Sequence, residues 1–230
     1  MKREDGRKPD EIRPITMKAG VVPNANGSAL VSFGNTTAIA AVYGPKILHP
    51  RRMQLPDKAF LKTVYNMVPF STKERCRPGP SRRSKEICLV TRQALEPAVF
   101  AEEFPKAGIE VYIDVIEANA GTRTVGINAA SIALADAGVP MKGLVTSVAA
   151  GKIGNEYVLD LAGKEEEETA CDLPIAYMPE QDKITLLQMD GDLPVQDAKK
   201  VMDLAVKGCK LLYKKQREAL ENRWIPKVKK

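Results

Sequence analysis

The chain of 230 residues contains one histidine, His49. A two-histidine acid–base nuclease, a polyhistidine zinc site and most Ser-His-Asp schemes would all have to be built on that one side chain. The four cysteines, at 76, 88, 171 and 209, form no CxxC pair and show no metal-ligand spacing, so reduced thiols are expected rather than disulfides or a zinc knot. No apolar run approaches the roughly 20 residues needed to span a bilayer. The opening MKREDGRKPD is charged and has no apolar core of a secretory signal. A cytoplasmic protein with no membrane partner is expected. A P-loop is missing, and so is a GxGxxG followed by an acid. Chemistry must therefore come from carboxylates, guanidinium groups, backbone amides or a bound ion.

What remains is an ordinary globular composition with a basic bias. It is 44% hydrophobic and 28% charged, with 16 Gly and 16 Pro, enough to build a core without a staple. Lys plus Arg is 35 against 29 Asp plus Glu, a formal charge of +6. The excess is clustered: Lys73, Arg75, Arg77, Arg82, Arg83 and Lys85 stand against Glu74 alone, Arg51 and Arg52 form a second group, and Lys227, Lys229 and Lys230 close the chain. Such clusters fit either a solvated surface or a phosphate-rich partner.

Residues 1–14 read as a polar N-terminal arm. Short β-branched runs at 16–22, 28–33, 36–43 and 61–70 are divided by the turn dipeptides Asn26-Gly27 and Gly34-Asn35. The long basic segment 45–58 reads as a functional loop. Ser81 is placed to cap a helix with Ile87, Val90, Ala94 and Ala98 at helical spacing, and 109–116 reads as a strand. Residues 122–137 predict a small-residue helix that can lie close against a sheet. Strands at 143–151, 156–161, 173–178 and 183–188 follow, then a helix over 194–222. The class is α+β with mixed sheets, taken as a single domain over 1–230 with an acidic loop at 163–171 and a basic tail at 223–230.

Two segments carry candidate chemistry. Asn119-Ala120-Gly121-Thr122-Arg123-Thr124 runs from a strand end into a helix start. Free amides of the first turn, a glycine allowing close approach, two hydroxyls and a guanidinium make an anion site, or else a capped helix with a surface arginine. Asp172 precedes an apolar strand, just after Glu165-Glu166-Glu167-Glu168. That acidic run is either a solvated loop or the side of a divalent-ion site, since magnesium takes one or two carboxylates and completes its shell with water and phosphate.

In combination, these segments and several others resemble the ribonuclease PH family, and within it the exosome branch of archaea. The resemblance rests on Gly6-Arg7-Lys8-Pro9-Asp10-Glu11-Ile12-Arg13-Pro14, Gly27-Ser28, Phe33-Gly34-Asn35-Thr36, Leu55-Pro56-Asp57, Pro69-Phe70-Ser71-Thr72, Ser81-Arg82-Arg83, Ala120-Gly121-Thr122-Arg123, the segment from Ala133 to Pro140, and Asp172-Leu173-Pro174. It implies two related β-α halves and the catalytic subunit of an archaeal exosome. The implied activity is phosphate-dependent 3′-to-5′ exoribonuclease action that releases nucleoside diphosphates, with RNA tailing as the reverse. The implied partners are RNA, an inactive homologous subunit alternating in a six-membered ring, and RNA-binding cap subunits. It further implies inorganic phosphate as co-substrate on Gly121, Thr122, Arg123 and Thr124, and Mg²⁺ on Asp172 and Glu166, the same pair serving catalysis. Lys62, Arg82 and Arg83 would hold the RNA backbone, with Tyr65 stacking on a base. Three positions depart from the pattern. Glu166 replaces the bacterial aspartate, Lys62 replaces an arginine, and Ser84-Lys85 intervene before Glu86. A non-catalytic RNA-binding ring subunit of the same fold is the alternative, and retention of Asp172 and Arg123 argues against it.

Overall fold

Alternation along the third strand sets the plan of the molecule: Ala38, Ala40 and Val42 are fully buried, while Thr37, Ile39 and Ala41 face the other way and are half-buried. In the computed structural model, which describes Arg3 and residues 5–225, this strand is β3 (Thr36–Ile47). It lies in a five-stranded sheet with β1 (Ile15–Ala19), β2 (Gly27–Phe33), β4 (Phe60–Met67) and β5 (Ala107–Glu117), in the order β1-β2-β3-β5-β4. Only the β4–β5 pair is parallel. A parallel pair needs a crossover, and α1 (Arg82–Leu95) lies within that connection.

The second sheet is antiparallel throughout its registered pairs. It runs β10 (Asp190–Gly191), β8 (Cys171–Met178), β6 (Thr146–Ile153), β7 (Glu156–Leu159), with β9 (Lys183–Leu187) also on β8. Mixed pairing is therefore confined to the first sheet. One continuous apolar core takes in residues of both sheets, from Ala29 and Val111 to Val148 and Ile175.

Between the sheets lies α2 (Thr122–Asp136), flanked by α1 and by α4 (Val195–Trp224), each touching strands of both sheets. Small residues allow this: a Cβ added at Gly126 would stand 3.2 Å from Ile113 Cγ2. All of α2 except Arg123 and Ala135 is buried. Burying each of Ile127, Ile132 and Leu134 is worth about 1.5–3 kcal/mol. The helix predicted to rest on one sheet is enclosed by two.

Ser81 caps α1 as expected: its Oγ accepts from Ser84 N–H at 3.0 Å, and Ser84 Oγ accepts from Ser81 N–H at 2.8 Å. Other expectations change. The strand predicted to 70 ends at Met67, because Ser71 N–H turns back to Val68 C=O. The basic loop starts later, since β3 continues to Ile47, and it contains a short 3₁₀ turn at Arg51–Met53. The acidic run is a one-turn helix, α3 (Glu165–Glu168), with Glu165 buried. The arm is not a loose polar segment, for its Arg3 and Arg13 are 3% and 4% exposed. Of the basic tail, Arg223 and Trp224 end α4, and 226–230 lie outside the described residues.

Candidate active site

The chain leaves β5 at Glu117 and turns twice in left-handed backbone, Ala120 at φ 64° and Gly121 at φ 67°, before α2 begins. Glycine tolerates that conformation without steric cost, and a Cβ at Gly121 would also press on Arg13 Nη2 at 3.1 Å. The first intrahelical bond of α2 is Val125 N–H to Gly121 C=O at 3.2 Å. The amides of residues 122–124 therefore precede the ladder and are open to an anion.

The two threonine hydroxyls expected to join them are partly committed. Thr124 Oγ1 donates to Gly121 C=O at 2.8 Å, and Thr122 Oγ1 accepts from the Tyr65 hydroxyl at 2.8 Å. Thr122 keeps a proton to give, whereas Thr124 offers chiefly its amide.

Arg123 is the α2 side chain that emerges here, 25% exposed. Its guanidinium donates to Glu86 Oε2 at 2.9 Å and to Gln188 Oε1 at 2.6 Å, and Gln188 donates to Glu86 Oε1 at 3.0 Å. This closed triangle fixes the plane of the guanidinium. Its Nε is buried and has no hydrogen-bond partner.

Across a cleft of about 390 Å³ stands Asp172. The cleft is bounded by the 121–124 turn, Arg83 and Glu86 of α1, Glu166 of α3, and Asp172, Gln188 and Asp190 of the second sheet. Asp172 Oδ1 is buried without a hydrogen bond. Burial, then the charge of Glu166, pushes the Asp172 carboxyl up to about 6, against an opposing pull from Arg123. Asp190 faces Asp172 across the β8–β10 ladder and adds to the upward push. No group of three or more His, Cys, Asp or Glu side chains among the described residues forms a complete ligand set. The donors at hand, an unpartnered carboxylate oxygen with a second carboxylate on the same cleft, fit a magnesium ion that takes most of its ligands from water and phosphate. His49 is exposed and lies outside the cleft.

The structure thus gathers Gly121, Thr122, Arg123, Thr124, Glu166, Asp172 and Arg83 around one cavity. Arg82 is exposed beside it without lining it. Two expected RNA contacts do not join the group. Tyr65 is 4% exposed with its hydroxyl bonded to Thr122, so its ring is core and offers no open face for a base; its visible work is to hold Thr122. Lys62 stands on the opposite face of the first sheet, because strand side chains alternate, and its ammonium lies 3.0 Å from Glu110, which Lys46 also contacts. Sequence reasoning missed Glu86, Gln188 and Asp190 as parts of the cleft. Glu86 had a local signal, one helical turn after Arg83. The other two arrive only through strand pairing.

Comparison with known proteins places this geometry in a family. The sequence model of domain 1 of the RNase PH 3′ exoribonuclease family matches residues 11–140, and that of domain 2 matches 143–208. The chain belongs to the RNase PH 3′ exoribonuclease family. Among curated relatives, the exosome complex component Rrp41 of Pyrococcus furiosus is 54% identical, covering 97% of this chain and 90% of the relative. The protein of the same name from Methanopyrus kandleri is 51% identical over 96% and 93%. The solved structure of rice Rrp46 shares the fold, with a TM-score of 0.86 at 23% identity, covering 95% of this chain and all of that one.

Proposed function

We propose that this chain is the catalytic subunit of an archaeal exosome and shortens RNA from its 3′ end by phosphorolysis. The observation that carries this reading is the meeting in one cleft of the 122–124 amides and Arg123 with Asp172 and Glu166. Inorganic phosphate sits on the amides beside the Arg123 guanidinium, whose plane Glu86 and Gln188 fix before reaction. A phosphate oxygen attacks the terminal phosphodiester phosphorus, and the bond to the preceding 3′-oxygen breaks. That oxygen takes a proton and remains as the new RNA end, while the nucleoside leaves as a diphosphate. Water takes no part in the cleavage, so the reaction is not a hydrolysis.

Asp172 serves the leaving oxygen as proton donor; with its carboxyl raised to about 6, the protonated form is accessible near neutrality. Asp172 and Glu166 are also the residues that would hold Mg²⁺, which when bound neutralises charge on phosphoryl oxygens. The names of the relatives and the shared fold support assembly with other subunits of an exosome; we assign these as an inactive homologue alternating in a ring and RNA-binding cap subunits. The four unpaired thiols are consistent with the reducing cytoplasm.

The test is incubation of RNA and Mg²⁺ with the chain, alone and with its homologous partner, with and without phosphate. Nucleoside diphosphates formed only with phosphate are expected. Equal decay to monophosphates in phosphate-free buffer would overturn the mechanism.

RNA grip is assigned to Arg82 and Arg83 through the backbone. Each phosphate contact steepens the log–log salt dependence of single-strand binding by about 0.7, so replacing both by Ala should flatten it by about one to one and a half units. Affinity should fall alike for every RNA sequence. An unchanged slope in a folded double variant would move the grip to Arg51 and Arg52.

A further inference from the structure

The arm that precedes β1 is tied both to the second half of the chain and to the anion turn of the site. Arg13 grips Asp160 with a two-pronged fork, Nε to Oδ2 at 2.8 Å and Nη2 to Oδ1 at 2.7 Å, and its backbone N–H adds a third bond at 2.8 Å. Asp160 lies just beyond β7 in the second half of the chain and is 2% exposed. Its backbone is left-handed at φ 55°, a conformation costly for a residue with a side chain and kept only where the surroundings over-determine it.

The remaining donor of Arg13 points away from Asp160 and into the anion turn. Nη1 donates to Asn119 C=O at 2.7 Å and to Thr36 Oγ1 at 3.1 Å. Thr36 completes the clasp, for its hydroxyl oxygen accepts from Asn119 N–H at 3.0 Å and donates to Ala120 C=O at 2.7 Å. Every one of these groups bonds the backbone between the end of β5 and the start of α2. The same stretch carries the left-handed Ala120 and Gly121. The direction in which the amides of residues 122–124 point is therefore decided by what holds residues 119–121.

We propose that Arg13, acting through Asp160 and Thr36, is a positioning residue that sets the geometry of the phosphate site. The inference rests on the phosphorolytic reading of the cleft and deepens it. Arg13 touches no substrate. It connects the anion turn of the first half to the β7 end of the second, and so holds the amides in register with the acidic side of the cleft. A mirror arrangement steadies that side: Arg3 forks onto Glu165 at 2.8 and 2.7 Å, next to Glu166. The guanidinium form matters. A lysine would keep the charge but could not serve a carboxylate, a carbonyl and a hydroxyl at once from fixed angles.

The test uses the full chain assembled with its partner subunit. Two variants are compared with wild type: Arg13→Lys, which keeps the charge, and Thr36→Val, which keeps the shape and removes only the bridging hydroxyl. Inorganic phosphate binding is titrated by calorimetry, KM for phosphate and kcat are measured with RNA in excess, and RNA affinity is measured without phosphate. Weakening of phosphate binding by about tenfold in each variant is expected, from loosened amide and guanidinium donors. An equal rise in KM for phosphate should accompany it, with RNA affinity within twofold of wild type. A lowered melting temperature with unchanged phosphate affinity would overturn the proposal, as would parallel loss of phosphate and RNA affinity. Should Arg13→Lys fail to fold, Thr36→Val decides by the same readings. Phosphate-independent RNA decay by wild type would count against phosphorolysis, while the titration of phosphate would still judge the positioning role.

Discussion

Replacing Asp172 by Asn is expected to lower turnover by about 10²–10⁴-fold, the range contributed by a positioned proton donor, while RNA affinity stays the same or tightens. The side chain lines the cleft and its buried Oδ1 has no hydrogen-bond partner, and loss of a negative charge next to phosphate does not weaken RNA binding. If affinity and turnover fall in the same proportion, Asp172 is structural. A stability measurement gives an independent reading. The folded carboxyl stands at about 6 against an ordinary 3.8; the native state therefore binds the proton more tightly than the unfolded chain. This contribution is fully present below about pH 4 and is lost as pH rises through 6. The rise corresponds to about 3 kcal/mol. In metal- and phosphate-free buffer, Asp172→Asn should thus be more stable than wild type at pH 8 by up to about that amount and indistinguishable at pH 4. Equal stability at both values would show that burial and the Glu166 charge do not strain this carboxyl.

Arg123→Ala should raise KM for phosphate and reduce kcat/KM by about 10–10²-fold, because a charge-assisted hydrogen bond to a free oxyanion is worth about 1.5–3 kcal/mol. Arg123→Lys should recover only part of the loss, since a lysine supplies the charge without the planar fork. Neither change should alter RNA affinity measured without phosphate. The triangle with Glu86 and Gln188 adds a sharper expectation. Glu86 pairs with the arginine, so with Ala at 123 its carboxylate stands at the cleft wall without that partner and repels phosphate. Adding Glu86→Gln to Arg123→Ala should therefore restore some phosphate affinity. A double variant no better than the single one would show that Glu86 does not act on the anion. Steady-state kinetics at varied phosphate, on all four proteins, decides the matter.

Much of this molecule was written locally. Period-two alternation in β3, the serine that caps α1, the glycine and small residues around α2 and the apolar stripe of α4 depend on neighbours a few residues away, so they can be read without a fold. The turn at 119–124 and the place of Asp172 at the front of an apolar strand were legible for the same reason. Each rests on a short segment with its own geometry.

What the sequence could not show lies in pairings between distant segments. Arg123 meets Gln188 across 65 positions and Glu86 across 37, and Arg13 meets Asp160 across 147. Tyr65 was expected to stack on a base, but β4 packs beneath α1 and the ring reaches Thr122 and Gly126 of α2, which buries it. Lys62, three positions earlier, turned to the other face because strand side chains alternate. The arm looked polar because arginine usually means surface, yet two buried carboxylates supply enough partners to bring three arginines inward. Short spacing determined most of the elements and the anion turn, and the ordered motifs carried the resemblance to the family. Tertiary structure alone decided which charges face the cleft and which are spent on holding it, since a charge acts on whatever lies within a few ångströms in space, however far away in the chain.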